Sequence, residues 1–243
     1  MIPHKIHYCW FGEKEKPAEV LKYIETWKKI FPDYEIVEWN ERNFDINSCR
    51  YVSEAYAAHK YAFVTDYVRL VALFEIGGLY FDTDIEAKIN FDSLVNSYSM
   101  VLGFEDDYYV MTGFMAAEPR LKCFSDLIEI YKGKKFLLEN GKYDLLPNPV
   151  IVTKVMEKYG LVTNGKQQEF GDQYVIYPVS KFSAFNIAYQ KVEITDATCL
   201  VHHCMGSWQT SKDKLKPWMK SKLIKILGKS NFEKIKSRFY KKR

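Results

Sequence analysis

The sequence predicts an α/β protein, a sheet flanked by helices, with a basic amphipathic helical tail. Three observations carry this. Strand-like apolar runs alternate with helix-period segments through the first half of the chain. Residues 60–76, "KYAFVTDYVRLVALFEI", are apolar nearly all round, the mark of a helix buried on every side. The last 32 residues hold 13 Lys/Arg against two acids, with apolar residues between the lysines at helical spacing.

Taken in order, "KIHYCWFG" (5–12) reads as a first strand ending at a glycine. A helix follows, opened near Pro17, with Val20, Leu21, Ile24, Trp27 and Ile30 on one face and a stop before Pro32. "YEIVEWN" (34–40) is a second strand. The buried helix of 60–76 is closed by Gly77-Gly78, and "LYFDTD" (79–84) follows as a strand. Further strands are expected at 100–106, 110–118, 174–178 and 198–204, and helices at 119–132 and 149–159. Residues 131–149 read as a loop-rich insertion. No internal repeat or low-complexity segment is present.

Of the 243 residues, 47% are hydrophobic and 16% aromatic, ample for a globular core and against wholesale disorder. No apolar run reaches the roughly 18–20 residues that span a bilayer, and the start lacks the pattern of a signal peptide. The five cysteines are scattered without a C-x-x-C pair, which points to reduced thiols in a cytosol. The net charge of +4 conceals an asymmetry: residues 1–211 carry 22 bases against 29 acids. The expected organisation is therefore an acidic catalytic body over 1–211 and a basic tail over 212–243, facing different partners.

Four groups of residues could carry chemistry. Asp82 and Asp84 stand one residue apart after an apolar run; on a strand both carboxylates would share one face, as would Glu86 if the strand continued. Like charges so placed repel, unless a hard divalent cation joins them to a diphosphate; a solvated strand end is the plainer alternative. Asp66 and Arg69 lie three apart on the buried helix, either as a self-neutralising ion pair or as a face meeting a polyhydroxylated ligand. In "VHHCMGSWQ" (201–209), adjacent strand histidines point to opposite faces, so at most one easily joins a metal site. Gly206-Ser207 could meet phosphate oxygens there, and Trp208 reads as core or platform. Trp10, at the end of the first strand, is ordinary core or a stacking surface for a nucleobase.

These residues together resemble glycosyltransferase family 32, the DXD-motif sugar-binding group that includes capsule and exopolysaccharide transferases and, more distantly, the glucosylating toxins. The resemblance covers "IPHKIHYCWFG", "YAFVTDYVRLVALFEIGGLYFDTDIEA" and "VHHCMGSW"; residues 119–172 and the tail match nothing in it. It implies a GT-A fold, a Rossmann-like mixed sheet binding a nucleotide-sugar with Mn²⁺ or Mg²⁺, and transfer with retention at the anomeric carbon. Carried over by position, Trp10 would stack on the base, and Asp66 and Arg69 would hold the donor sugar's hydroxyls. Asp82 would meet ribose and metal-bound water, and Asp84 would ligate the metal. A histidine, His202 in preference to His203, would stand near the metal, with Ser207 and Trp208 on the phosphates. The implied donor is a UDP-hexose, glucose or galactose, and the implied acceptor a saccharide or lipid-linked saccharide.

With no second carboxylate evident as a nucleophile, front-face attack by the acceptor hydroxyl beside the departing phosphate is expected. The tail reads as a membrane-surface element drawn to anionic lipid, so the expected place is the cytoplasm, peripheral on the inner face of the cell membrane. No nucleic-acid readout motif is present. The lysine-rich composition points to a bacterial source. Two other classes compete: a metal-dependent phosphohydrolase, disfavoured because its D-x-D opens the first strand, and a membrane adaptor, which leaves the four charged residues without a task. A mannosyltransferase using a GDP-sugar is the alternative within the family.

Overall fold

The computed structural model describes residues 1–171, 173–186 and 191–205. The chain enters through β1 (Lys5–Cys9), crosses by α1 (Ala18–Ile30) to β2 (Glu35–Trp39), and then runs through α2 (Arg50–Ala57) and α3 (Tyr61–Glu75) into β3 (Gly78–Phe81). A short β4 (Ile85–Ala87) and one turn of helix, α4 (Asp92–Val95), precede the hairpin of β5 (Met100–Phe104) and β6 (Val110–Ala117). Next come α5 (Lys122–Lys132), α6 (Asn148–Lys158), β7 (Gln168–Phe170), β8 (Tyr174–Tyr177) and α7 (Val179–Phe182). Two short pieces, β9 (Phe185–Asn186) and β10 (Lys191–Val192), lead to β11 (Leu200–His202).

Seven strands form one mixed sheet in the order β2-β1-β3-β6-β5-β8-β7. β1 pairs parallel with β2 and β3, and β5 parallel with β8, while β6 runs antiparallel between β3 and β5 and β7 is antiparallel to β8. The expected α/β class and sheet-and-helix layering hold. Central strands β3, β5 and β6 are buried along their whole length, which is why they read as continuous apolar runs rather than alternating ones. Each face of the sheet carries its own core. One is built with α2, α3, α5 and α6 around residues such as Tyr51, Leu70 and Phe124. The other is built with α1 and α7 around Trp27, Phe31, Phe91 and Phe182.

The helix α3 is enclosed as its composition requires: of its residues, Val64, Val68, Leu70, Ala72 and Leu73 are fully buried. Gly77 and Gly78, at φ +73° and +105°, turn the chain directly into β3. A Cβ at Gly78 would lie 2.7 Å from the Lys5 carbonyl, so only glycine lets β3 close against β1. His7 fixes the same corner. Its Nε2 contacts the Gly77 carbonyl at 2.8 Å and its Nδ1 faces the Trp39 indole N–H at 3.1 Å, so the neutral ring donates to one and accepts from the other. Burial lowers its pKa, in keeping with that neutral form.

One expectation changes. The strand expected over 79–84 ends at Phe81, and Asp82 and Asp84 lie in a turn closed by the Ile85 N–H donating to the Asp82 carbonyl at 3.0 Å. Aspartate is a poor strand former with a short polar side chain suited to turns, and the turn lets the two carboxylates converge without a shared strand face. Glu86 consequently sits on β4 and turns to other partners. Residues 206–243, which include Ser207, Trp208 and the basic tail, lie outside the described residues.

Trp27 of α1 holds the far side of that turn. It is fully buried, packs edge-on against Tyr8 and Phe81 at 5.6 and 5.4 Å, and donates from Nε1 to the Ile85 carbonyl at 2.8 Å. Trp27→Phe keeps an aromatic ring but leaves that buried carbonyl without its side-chain donor. Urea unfolding should show a loss of about 1–3 kcal/mol.

Candidate active site

Antiparallel pairing of β4 with β11 sets Val201 opposite Glu86 and His202 opposite Ile85. This register delivers the histidine doublet to the aspartate turn and divides it. His203 faces outward, with Nε2 3.0 Å from Glu86 Oε2 and its ring stacked on Tyr23 at 4.7 Å. His202 faces inward, its Nε2 3.3 Å from Asp84 Oδ1. Asp84 also accepts from the Met205 N–H at 2.8 Å, and its own carbonyl accepts from the His203 N–H at 3.0 Å. Asp82, Asp84 and His202 each present one ligand atom, and these atoms lie within 4.8 Å of one another.

Room for this cluster comes from the neighbouring strand. A Cβ on Gly113 of β6 would stand 3.1 Å from Asp82 Oδ2 and 3.1 Å from His202 Cε1. A side chain there would press on both, so a glycine in the middle of an apolar strand is the condition for close approach. The Gly113 carbonyl also accepts from the Asp82 N–H at 2.8 Å, pinning the start of the turn to the sheet.

Arg69 braces the other side. It is only 4% exposed, and its five N–H donors meet acceptors of this protein. Nε donates to the Thr65 carbonyl and Nη2 to Thr65 Oγ1, both at 3.1 Å. Nη2 also meets Asp66 Oδ1 at 3.0 Å, while Nη1 meets the Thr112 carbonyl at 2.6 Å and Asp82 Oδ1 at 3.2 Å. Its guanidinium lies 4.7 Å from the Tyr80 ring centroid, and Tyr80 donates its hydroxyl to Asp82 Oδ1 at 2.9 Å. The Asp66–Arg69 pair is thus an intrahelical ion pair extended to Asp82 on the adjoining turn.

The electrostatics are dominated by burial. Burial raises the Asp66 carboxyl to about 6 despite Arg69 beside it. Burial would also raise Asp84, but the His202 imidazole and the Met205 N–H outweigh it and hold the carboxyl below its usual range. His202 responds in the opposite sense: burial opposes its charge, yet Asp84 carries its pKa well above the ordinary value. Its Nδ1 is buried with no hydrogen-bond partner among the described residues. Two carboxylates and an imidazole with an orphaned ring nitrogen are a donor set that fits a divalent cation such as Mn²⁺ or Mg²⁺.

The structure also brings in a residue the sequence reading passed over. Glu105 directly follows β5, half-buried, and its carboxyl is raised by burial and by Asp106 and Asp82, with His202 and Arg69 pulling the other way. A further carboxylate therefore feels the charges of the aspartate turn, one that the motifs of the sequence did not single out. Its signal was present in "MVLGFED", an acid closing an apolar strand as Asp82 does. Trp10 follows the carboxyl end of β1, half-buried, with its N–H donated to the Trp39 carbonyl and its indole Nε1 to the Lys14 carbonyl.

Residues 17–101 match the family described as the glycosyltransferase sugar-binding region containing a DXD motif, a span that takes in Asp66, Arg69, Asp82 and Asp84. The match covers about a third of the chain and marks a sugar-binding region of the DXD type within it. That match favours a sugar-transfer reading over the phosphohydrolase and adaptor ones. Among solved structures, the PaToxG glycosyltransferase aligns with a TM-score of 0.50 at 16% identity, over 65% of this chain and 69% of its own, and shares the GT-A fold. Two others align at a TM-score of 0.46. A glycosyltransferase involved in glycosylating the major capsid of PBCV-1 does so at 10% identity, over 90% of this chain and 100% of its own. The galactosyltransferase LgtC, solved with donor and acceptor sugar analogues, does so at 13% identity over 92% and 96%. No curated protein matches the sequence.

A raised carboxyl is a stability statement. Asp66 binds its proton more tightly folded than unfolded, so its contribution favours the fold at low pH and is lost as pH rises from about 4 through about 6. Asp66→Asn should therefore gain on the parent enzyme by about 2–3 kcal/mol on going from pH 4.5 to 7.5, read by urea unfolding at both values.

Proposed function

We propose that this protein is a metal-dependent, retaining glycosyltransferase of the hexosyltransferase type. It moves glucose or galactose from a UDP-linked donor to a saccharide or lipid-linked saccharide acceptor in bacterial capsular or exopolysaccharide synthesis. The observation that carries the proposal is the convergence of Asp82, Asp84 and His202 within 4.8 Å at the carboxyl end of β3. Asp84, His202 and Asp82 would hold Mn²⁺ or Mg²⁺, which when bound supplies Lewis-acid stabilisation of the charge developing on the leaving diphosphate.

The remaining assignments concern this chain's own side chains. Asp66, ionised above about pH 6, accepts hydrogen bonds from donor-sugar hydroxyls. With its N–H groups committed to protein acceptors, Arg69 is a positioning residue that sets Asp66 and Asp82 relative to each other. Trp10 offers its ring to the nucleobase, and Ser207 and Trp208 take the phosphates by the family resemblance. The basic tail draws the enzyme to an anionic membrane surface, and among the described residues no helix is long and apolar enough to cross one.

Calorimetric titration of UDP and GDP, with and without Mn²⁺, tests the donor and the metal together. UDP binding should require the ion and GDP should bind at least tenfold more weakly; the reverse order would favour the GDP-mannose alternative. Asp84→Ala should abolish the metal-dependent part while the unfolding transition is retained.

Retention proceeds here by front-face attack, the acceptor hydroxyl entering beside the departing phosphate. Because Glu105 is at hand, the competing double displacement has a named nucleophile. Intact mass measurement of enzyme incubated with donor should show no glycosyl adduct, whereas an adduct on Glu105 would replace the front-face route.

A further inference from the structure

The insertion over residues 131–149 carries an apolar surface that the transfer chemistry does not use. Phe136 is its anchor, fully buried and packed against Tyr51 and Phe63. From there the chain turns back on itself through Asn140-Gly141, with a bridge between Leu137 and Tyr143 and the Leu138 N–H donating to the Lys142 carbonyl at 2.8 Å. Tyr143 stacks on Phe136 at 5.1 Å, and Lys134 pairs with Asp144 at 2.6 Å across the base of the loop. The loop is thus an ordered hairpin.

The hairpin and the residues that follow it present large apolar side chains to solvent. Leu137, Leu138, Tyr143, Leu145 and Leu146 are 44, 38, 41, 56 and 42% exposed, gathered within ten residues. Along the segment are three exposed lysines: Lys132 at the end of α5 pairs with exposed Glu129 at 2.8 Å, Lys135 pairs with exposed Glu139 at 3.3 Å, and Lys142 lies beyond the turn. Such surface pairs are weak and leave the ammonium groups able to turn to phosphate. The apolar surface offered is on the order of 400 Å², the size of the largest and often functional patch on a typical monomer, and about half of the roughly 800 Å² per partner of a stable protein interface. Leucines ringed by lysines that can extend their charge outward match a bilayer's interfacial layer, with apolar atoms among the acyl chains and ammonium groups among the headgroups.

The insertion is tied to the helices beside the candidate site. Leu137 donates its N–H to Glu54 of α2 at 2.8 Å. Where the insertion ends, buried Asn148 donates to the Asp66 carbonyl at 3.4 Å and receives the Tyr131 hydroxyl at 3.1 Å.

We propose that the hairpin 136–146 dips into an anionic membrane surface and holds the sugar-binding side of the site against it, where a lipid-linked acceptor would present its saccharide. The inference rests on the lipid-linked acceptor of the proposed function. It adds a membrane contact made by the folded body, separate from the basic tail.

Hydrogen exchange on the full chain, with phosphatidylcholine/phosphatidylglycerol vesicles added, tests this directly. Amides of 136–146 should gain protection. Leu145→Asp combined with Leu146→Asp should lower vesicle affinity in sedimentation at least tenfold and leave Mn²⁺-dependent UDP binding unchanged. Three results would overturn the proposal. The parent enzyme could fail to bind vesicles at low salt, or could bind with the hairpin unprotected, the tail alone carrying the contact. Ultracentrifugation could instead show a concentration-dependent dimer that the double variant loses, giving the surface to a second copy. UDP binding by the same preparations separates each of these from failure of the transferase reading.

Discussion

Four carboxylates, Asp66, Asp82, Asp84 and Glu105, crowd the carboxyl end of the sheet with one guanidinium and one imidazole among them. That imbalance governs the rest of the structure. Arg69 can neutralise part of it only because its donors are divided between Asp66, Asp82 and the backbone of two elements. Asp84 raises the His202 pKa against the cost of burial, which favours a compensating positive charge there, and His202 stands among the groups that could hold a metal ion. A divalent cation would relieve both strains at once, adding two positive charges and releasing the imidazole to its neutral, ligating form. Isolated like charges in such a corner would otherwise destabilise the fold.

The scaffold is built to hold this corner still. The parallel β1–β3 pair, closed by Gly77-Gly78 and fixed by His7 and Trp39, delivers the chain to Asp82 at one place on the sheet edge. Gly113 supplies the clearance and the Asp82 anchor on one side, and Trp27 pins Ile85 on the other. His202 comes from more than a hundred residues downstream, yet its place is fixed by three paired positions between β4 and β11. Chemistry at the turn therefore depends on packing in both cores, and substitutions well away from the carboxylates should reach it.

Much of this was legible in the sequence because burial writes itself plainly. The all-round apolar character of 60–76, the Gly-Gly stop and the apolar run after it place α3 and β3 within a few residues, and α1, β1, β2, β6 and α6 were equally open to reading. What escaped depended on contacts far apart in the chain. The aspartates read as strand because an apolar run before them has no visible end, whereas the structure ends it at Phe81 with a turn. Arg69 looked available to a ligand because its distant acceptor, the Thr112 carbonyl, cannot be seen from local spacing. Short elements such as α2 and β7 have too few residues to show a period. Glu105 and Gly113 left signals, an acid ending one strand and a glycine inside another, whose meaning appears only when β5 and β6 lie beside β3.

The central claim, that the aspartate turn and His202 form a cation site serving a nucleotide diphosphate, is tested most directly by anomalous diffraction at the manganese edge. Crystals grown with Mn²⁺ and UDP should show one strong peak within ligand distance of the Asp84 carboxylate and the His202 ring, with diphosphate density adjoining it. A strong peak elsewhere, or diphosphate bound away from an empty turn, would contradict the account.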